Sequence, residues 1–373
     1  MESLDFIKHP LTSFIFSILL LPILIKTLEK HQILDIPGQH KIHNRHVPSM
    51  GGIAVFLGFL FTILLWWPVE LITECRLLIS AVVLMFIIGL KDDLIPLKPW
   101  QKLASQTIPI VIILFSTNGL ITSLYGLFGI HELSIFVSIP LTLFTIVVIV
   151  NSINLIDGAD GLAGAIGFLV IGALGFWFYL TGSNNLAIVS WSYSGALLAF
   201  LLYNWQPAKI FMGDTGALII GLISAFLIIQ FLNVNYSLPA ESTYKLNGIT
   251  VSMCLLFVPL FDTLRVFIQR IIRKKSPFSS DKNHIHHILI RQGFSHSQLT
   301  LFLISITAMA ISIALVLSYF TEEISLLIII FLALLLNLII WYLNRRILYS
   351  SIDNRHETLN IIKSATNTRA KAS

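Results

Sequence analysis

Long apolar runs broken by short polar clusters set the plan of this chain. Eleven runs approach the roughly 20 apolar residues that a helix needs to cross a bilayer. They are 11–29, 50–68, 76–91, 104–118, 136–151, 161–181, 187–203, 216–233, 248–269, 299–319 and 325–343. The pattern predicts an all-α polytopic membrane protein of about eleven spanning helices. With the loop holding Lys41 and Arg45 placed in the cytoplasm, alternation collects Lys30, Lys91, Lys98, Lys102, Lys209, the basic stretch 270–291 and the tail from Arg345 on that same side. The other side keeps little beyond Lys8, Arg76 and Lys245. This is the bias of the positive-inside rule, so the N-terminus is expected outside and the C-terminus inside. Residues 1–350 read as a single transmembrane catalytic domain and 351–373 as a polar cytoplasmic tail.

Composition agrees with that plan. The chain has 373 residues, 56% hydrophobic and 12% charged, with mean hydropathy +0.85, against about 25% charged in soluble domains. The net charge of +5 reports orientation and not a nucleic-acid partner. Cys75 and Cys254, in or beside apolar runs, exclude a disulfide framework or a cysteine zinc site. No small-residue cleavage site follows the first run, which contains Pro22 and Lys26, so it reads as a retained helix.

On this topology the chemistry-bearing residues all fall at cytoplasmic helix ends. Glu70, Glu74, Glu132, Glu241, Glu322 and Glu323 fall on the outer side, where the pattern gives them no partners. Asp92 and Asp93 close the third run. Adjacent carboxylates repel and call for a cation or a raised pKa, although a charged helix end entering water is the simpler reading. In NSINLIDGADGLAG, Asn151, Asn154, Asp157 and Asp160 stand three residues apart, with Gly158, Gly161 and Gly164 allowing close backbone approach. These hard oxygen donors suit Mg²⁺ or Mn²⁺. Asp214, in FMGDTGALI, is either an N-terminal cap or a metal ligand. Phe211 is either an interfacial aromatic or a platform for a nucleobase. His284, His286 and His287 cannot readily complete a tetrahedral zinc site alone, and as hydrogen-bond donors they suit phosphate oxygens. Lys41, His43 and Arg45, before Pro48 and the Gly51–Gly52 pair, add basic groups on the same side.

Taken together these motifs resemble the polyprenyl-phosphate N-acetylhexosamine-1-phosphate transferases. The matches run in order from Asp35 to about Phe294: D-x-P with K-x-H and P-x-x-G-G, the D-D pair with a following K-L, N-x-x-N-x-x-D-G-x-D-G-L-A, G-D-T-G and H-I-H-H. The likeness is greatest to the bacterial branch that moves GlcNAc-1-phosphate from UDP-GlcNAc to undecaprenyl phosphate and releases UMP. It implies a multi-pass protein of the bacterial inner membrane whose site faces the cytoplasm, acting at the first step of lipid-linked O-antigen or common-antigen synthesis. It also implies that Asn154 and Asp214 hold Mg²⁺, that Lys102 contacts the donor diphosphate, and that Phe211 and Asp160 hold the uracil. His284 and His286 would clamp phosphate oxygens, with Asp92, Asp93 and Asp157 essential. His40 departs from the arginine that many relatives carry before the lysine. Membrane lipid is an expected partner, and a homodimer is compatible with the sequence. The same reaction with another UDP-N-acetylhexosamine is the nearest alternative. A cation-coupled transporter is the alternative of a different class, and a lipid-diphosphate phosphatase or a scaffold are the remaining ones.

Overall fold

The computed structural model describes residues 5–35, 47–67, 69–276 and 283–342. A helix stands at each of the eleven apolar runs. In chain order they are α1 (Asp5–Lys30), α2 (Gly52–Trp66), α3 (Val69–Leu94), α4 (Pro99–Leu114), α5 (Ile135–Ile156), α6 (Leu162–Leu180), α7 (Asn184–Asn204), α8 (Gly213–Ser237), α9 (Gly248–Leu255) with α10 (Phe257–Ile272), α12 (His296–Leu317) and α13 (Glu322–Tyr342), with the short α11 (Ile285–Arg291) before α12. Seven of them are long and apolar enough to cross a membrane by themselves. A two-residue ribbon pairs Leu34–Asp35 (β1) with Val47–Pro48 (β2) in antiparallel register.

Apolar residues all round a helix bury it at the centre of a bundle, and a one-sided stripe puts it at the edge. α8 is the central case: it packs against α2, α3, α5, α6 and α9, and nearly every residue from Thr215 to Leu232 is buried. By contrast, α1 exposes Ile7, Leu11, Ile15, Leu19 and Ile23 at a spacing of four, and α13 exposes Leu327, Phe331, Leu334 and Leu338. Those stripes suit lipid. Close contact at the start of α8 depends on Gly89 of α3, where a Cβ would stand 2.6 Å from the Thr215 Cα. Small residues admit such backbone approach between membrane helices. The end of α3, with its two aspartates, thereby comes directly against the start of α8.

Two expectations need correction. The run 248–269 is not one straight span: α9 and α10 meet at 78°. Pro259 lies in the first turn of α10, and its ring has no N–H and opposes the carbonyl four residues back, at Leu255, where α9 ends. Nor are all the outer glutamates without partners. Glu322 accepts the Thr250 N–H and hydroxyl, each at 2.7 Å, and Glu323 accepts the Phe128 N–H at 3.2 Å.

Candidate active site

The helix ends from α3, α5 and α8 and the histidine segment enclose a cleft of about 480 Å³, lined by Asp92, Asp93, Asn154, Asp157, Asp160 and Asp214 among others. A cavity of about 580 Å³ at the other end of the bundle is lined by neutral groups such as Ser116, Asn184 and Gln230. Chemistry, not size, therefore locates the site.

Lys102, from the first turn of α4, reaches three of these lining residues. Its Nζ lies 2.9 Å from Asp92 Oδ2 and 3.2 Å from Asn154 Oδ1, and it also donates to Asp214 Oδ1. Asn154 Nδ2 donates to that same Asp214 oxygen. Burial alone would lower the Lys102 pKa, but Asp214 and Asp92 more than offset it and hold the ammonium above its ordinary value. Asp92 also accepts the Leu97 N–H at 2.7 Å, closing the turn between α3 and α4.

Asp93 does something different. Its Oδ1 accepts the Asp214 N–H at 2.7 Å, and its Oδ2 accepts the Thr215 N–H at 2.9 Å and the Thr215 hydroxyl at 2.5 Å. The first amides of a helix lack internal partners, and here a carboxylate from α3 supplies them for α8. Gly213 makes room, with φ +74° and a hypothetical Cβ only 2.6 Å from Asp93 Oδ2. Burial raises the Asp93 carboxyl above its usual range despite the Thr215 bonds.

α5 stays helical through Asn151 and Asn154 to Ile156, so residues three apart diverge by about 60° around its axis. That divergence separates the two asparagines. Asn154 faces the cleft, while Asn151 bonds the Val147 carbonyl at 2.8 Å and Gln106 of α4 at 3.2 Å. Asn151, whose spacing suggested a substrate-site donor beside the other three, thus joins two helices and does not line the cleft. The chain leaves α5 at Asp157 (φ −73°, ψ 59°), with Gly158 N–H bonded to the Ile156 carbonyl at 2.7 Å. This is an inverse γ-turn. It leaves Asp157 lining the cleft, where burial and then the nearby Asp214 and Asp93 push its carboxyl up to about 8. Asp160 Oδ2 accepts the Ala208 N–H at 3.1 Å, and its backbone N–H donates to His296 Nδ1 at 3.1 Å. Phe211 reaches the same cleft, its backbone paired with Pro48 and Gly51 at 2.8 Å.

The three histidines of the HIHH segment part ways. His286 and His287 line the cleft. His286 is kept neutral by burial and by His287, its pKa lowered to about 3, so it offers one N–H rather than a cation. Its Nδ1 is buried with no hydrogen-bond partner among the described residues. His284 is buried and turned to Asp262, at 2.8 Å, and does not line the cleft, so its Nδ1 is taken up by a carboxylate where a direct phosphate clamp was expected. Lys41, His43 and Arg45 lie outside the described residues. Sequence reasoning passed over His296, Asp262 and Arg265; the last two stand three apart in an apolar run, a spacing that signals a buried pair on one helix face.

Among the described residues no three His, Cys, Asp or Glu side chains converge as a metal site. Mg²⁺, however, is commonly held by one or two carboxylates, its remaining positions filled by water and substrate phosphates. Asp214 and Asn154 fit that pattern: two hard oxygens already meet one cation, the Lys102 ammonium.

Three relatives and a family model bear on this arrangement. Residues 75–232 match the model of glycosyl transferase family 4. The "Probable undecaprenyl-phosphate N-acetylglucosaminyl 1-phosphate transferase" of Bacillus subtilis (strain 168) is 32% identical over 301 residues, 79% of this chain and 80% of that protein. The chain belongs to glycosyl transferase family 4. Two further relatives, both named undecaprenyl-phosphate alpha-N-acetylglucosaminyl 1-phosphate transferase, come from Yersinia pestis and Escherichia coli O157:H7. Each is 27% identical, over 291 residues (76% of this chain, 77% of the relative) and 331 residues (87% of each) respectively. The family model spans α3 to α8 nearly whole, which includes every cleft aspartate but not the histidine segment.

One consequence for this family 4 member follows from packing alone. A Cβ on Gly158 would stand 2.4 Å from His286 Nε2, well inside contact distance, so Gly158→Ala must displace the ring. Transfer activity is expected to fall by about tenfold or more, the equivalent of ~1.4 kcal/mol, with a modest drop in melting temperature because the ring is buried. Paired turnover and melting measurements check this, and undiminished turnover would mean that the ring's position is immaterial.

Proposed function

We propose that the chain transfers N-acetylglucosamine-1-phosphate from UDP-GlcNAc to undecaprenyl phosphate, yielding undecaprenyl-diphosphate-GlcNAc and UMP. The observation that carries this reading is that Lys102 meets Asp214 and Asn154, two residues lining a cleft that also presents His286 and His287. Paired oxygen donors that meet a cation, with the neutral His286 in the same cleft, suit a diphosphate. The cleft volume also lies within the range of small-ligand sites. On this reading eleven helices cross the bacterial inner membrane, with the cleft on the cytoplasmic side, a placement that the lysine and arginine bias supports.

Mg²⁺ held by Asp214 and Asn154, with Mn²⁺ as a substitute, would neutralise charge on the donor diphosphate. Lys102 then turns its ammonium from those oxygens to a diphosphate oxygen while Asp92 keeps hold of it. His286 donates a hydrogen bond to the same group, and Asp160 with Phe211 takes the base. Phosphoryl transfer depends mainly on positioning and charge neutralisation. A phosphate monoester has its second pKa near 6, so the acceptor is already largely dianionic at neutral pH. No strong base is required, and both Asp92 and Asp93 are committed to other partners. The lipid phosphate therefore attacks the β-phosphorus directly and UMP departs. The carboxylates gather at one end of the helices and the family is one of transferases, so the transporter alternative has no support.

The decisive experiment incubates purified protein with undecaprenyl phosphate, Mg²⁺ and a panel of radiolabelled UDP-N-acetylhexosamines. Label from UDP-GlcNAc passing into the lipid phase, with equimolar UMP, is expected. Inorganic phosphate as product would favour a phosphatase, and preference for another sugar would overturn the choice of donor.

The raised Asp157 pKa adds a pH dependence. At pH 7 the free protein holds a proton on Asp157, whose pKa is about 8. A divalent cation bound nearby lowers that pKa and expels the proton. By reciprocity, Mg²⁺ binding strengthens as pH rises toward 8 and levels off above it. Calorimetry at pH 6.5, 7.5 and 8.5 checks this, and an affinity independent of pH would contradict it.

A further inference from the structure

Behind the histidine segment, apart from the acids of the cleft, α10 carries a second charged cluster that the proposed chemistry leaves unused. Asp262 and Arg265 are 2% and 5% exposed. Arg265 Nη2 donates to Asp262 Oδ1 at 2.8 Å and to the Asn283 carbonyl. Asp262 Oδ1 also accepts the N–H of Ile285, the first residue of α11, at 2.9 Å, and Oδ2 faces His284 Nδ1 at 2.8 Å. A buried ion pair is a poor source of net stability compared with apolar packing, so holding the bundle together is a weak explanation for this one. Outside the pair, these bonds all run to one stretch, residues 283–285.

That stretch leads straight to the cleft. His284 and His286 lie nearly parallel, 5.8 Å apart at 11°, and the His286 ring rests on Gly158 beside the Asp157 turn. We infer that Asp262 and Arg265 are positioning residues that act through His284 and the start of α11 to set His286 in the cleft. Asp262 caps the Ile285 amide from another helix, as Asp93 does for α8, and takes the proton-bearing Nδ1 of His284, which fixes that ring's tautomer and tilt. Arg265 holds the Asn283 carbonyl, so the segment enters α11 at one angle. His286, two residues on, inherits that placement.

The kinetic half of the test rests on the transfer reading above; the exchange half does not. Asp262→Asn and His284→Asn should each lower kcat/KM for UDP-GlcNAc by about tenfold to 100-fold, mainly through KM, with the KM for the lipid acceptor little changed. The double variant should be no worse than the poorer single, because residues in one network are not additive. Asp262→Asn leaves Arg265 without its counter-charge, so Asp262→Asn/Arg265→Gln, which removes both charges at nearly constant shape, guards against misfolding and should lose the same tenfold or more. In either variant, hydrogen–deuterium exchange of residues 285–291 should speed up while that of α8 stays unchanged. Additive losses, a normal KM in both variants, or unaltered exchange at 285–291 would each overturn the inference. Faster exchange in a protein whose wild type transfers nothing would leave the positioning intact and refute the transfer reading instead.

Discussion

Asp214→Ala is expected to lower transfer by at least about 100-fold, the cost of deleting one preorganised electrostatic contact, while leaving insertion and melting almost untouched. The separation of those effects comes from where the bonds lie. The start of α8 is tied to Asp93 through the backbone N–H of residue 214, not through its side chain, and an alanine keeps that N–H. What disappears is the oxygen on which Lys102 and Asn154 converge. Lys102 retains Asp92 at 2.9 Å, so no buried cation is left unpaired. Asp214→Asn keeps an oxygen but not the charge and should fall between, with a raised Mg²⁺ requirement. Titrating Mg²⁺ against initial rate on all three proteins checks this. Near-normal rates for the alanine variant at ordinary Mg²⁺ would remove Asp214 from the proposed metal site.

The helices were legible because the signal for them is redundant: each spanning run repeats its apolar character over many residues. All eleven runs correspond to helices, and the one that misled, 248–269, did so through a single proline whose neighbours remain apolar. Convergence of the acids was legible too, since topology alone brings helix ends to one face. Direction around a helix was not. Asn151 and Asn154 are chemically identical and three residues apart, yet one meets Gln106 and the other the cleft. Only the neighbouring helix decides between them. The division of labour among the acids was hidden for a similar reason. Asp92 and Asp93 adjoin in sequence, but one holds an ammonium and the other a pair of backbone amides, and no local pattern distinguishes those partners. The partner of His284, Asp262, was hidden because it lies 22 residues away in a run that reads as plain membrane helix.

Asp93 offers the sharpest test of that division. Its carboxylate makes three bonds to the first two residues after Gly213, so it behaves as a cap donated by α3 to α8. Removing a capping side chain costs about 0.5–2 kcal/mol, and each buried donor left unmet adds roughly 1–3 kcal/mol. Asp93→Ala should therefore lower the melting temperature and, by freeing the turn that carries Asp214, lower transfer about as far as Asp214→Ala does. Asn at this position keeps one acceptor oxygen for the Asp214 N–H. Its amide meets the Thr215 hydroxyl, which can rotate to accept, and loses only the Thr215 N–H. Asp93→Asn should accordingly retain measurable transfer with a weakened response to Mg²⁺ and a partly restored melting temperature. A general base would behave otherwise, because a carboxamide cannot take a proton near neutral pH however well it packs. An asparagine variant with wild-type melting and Mg²⁺ response but no transfer would place Asp93 in the chemistry and end the capping account. Graded loss of stability, Mg²⁺ response and rate together, from aspartate through asparagine to alanine, is the result the geometry requires.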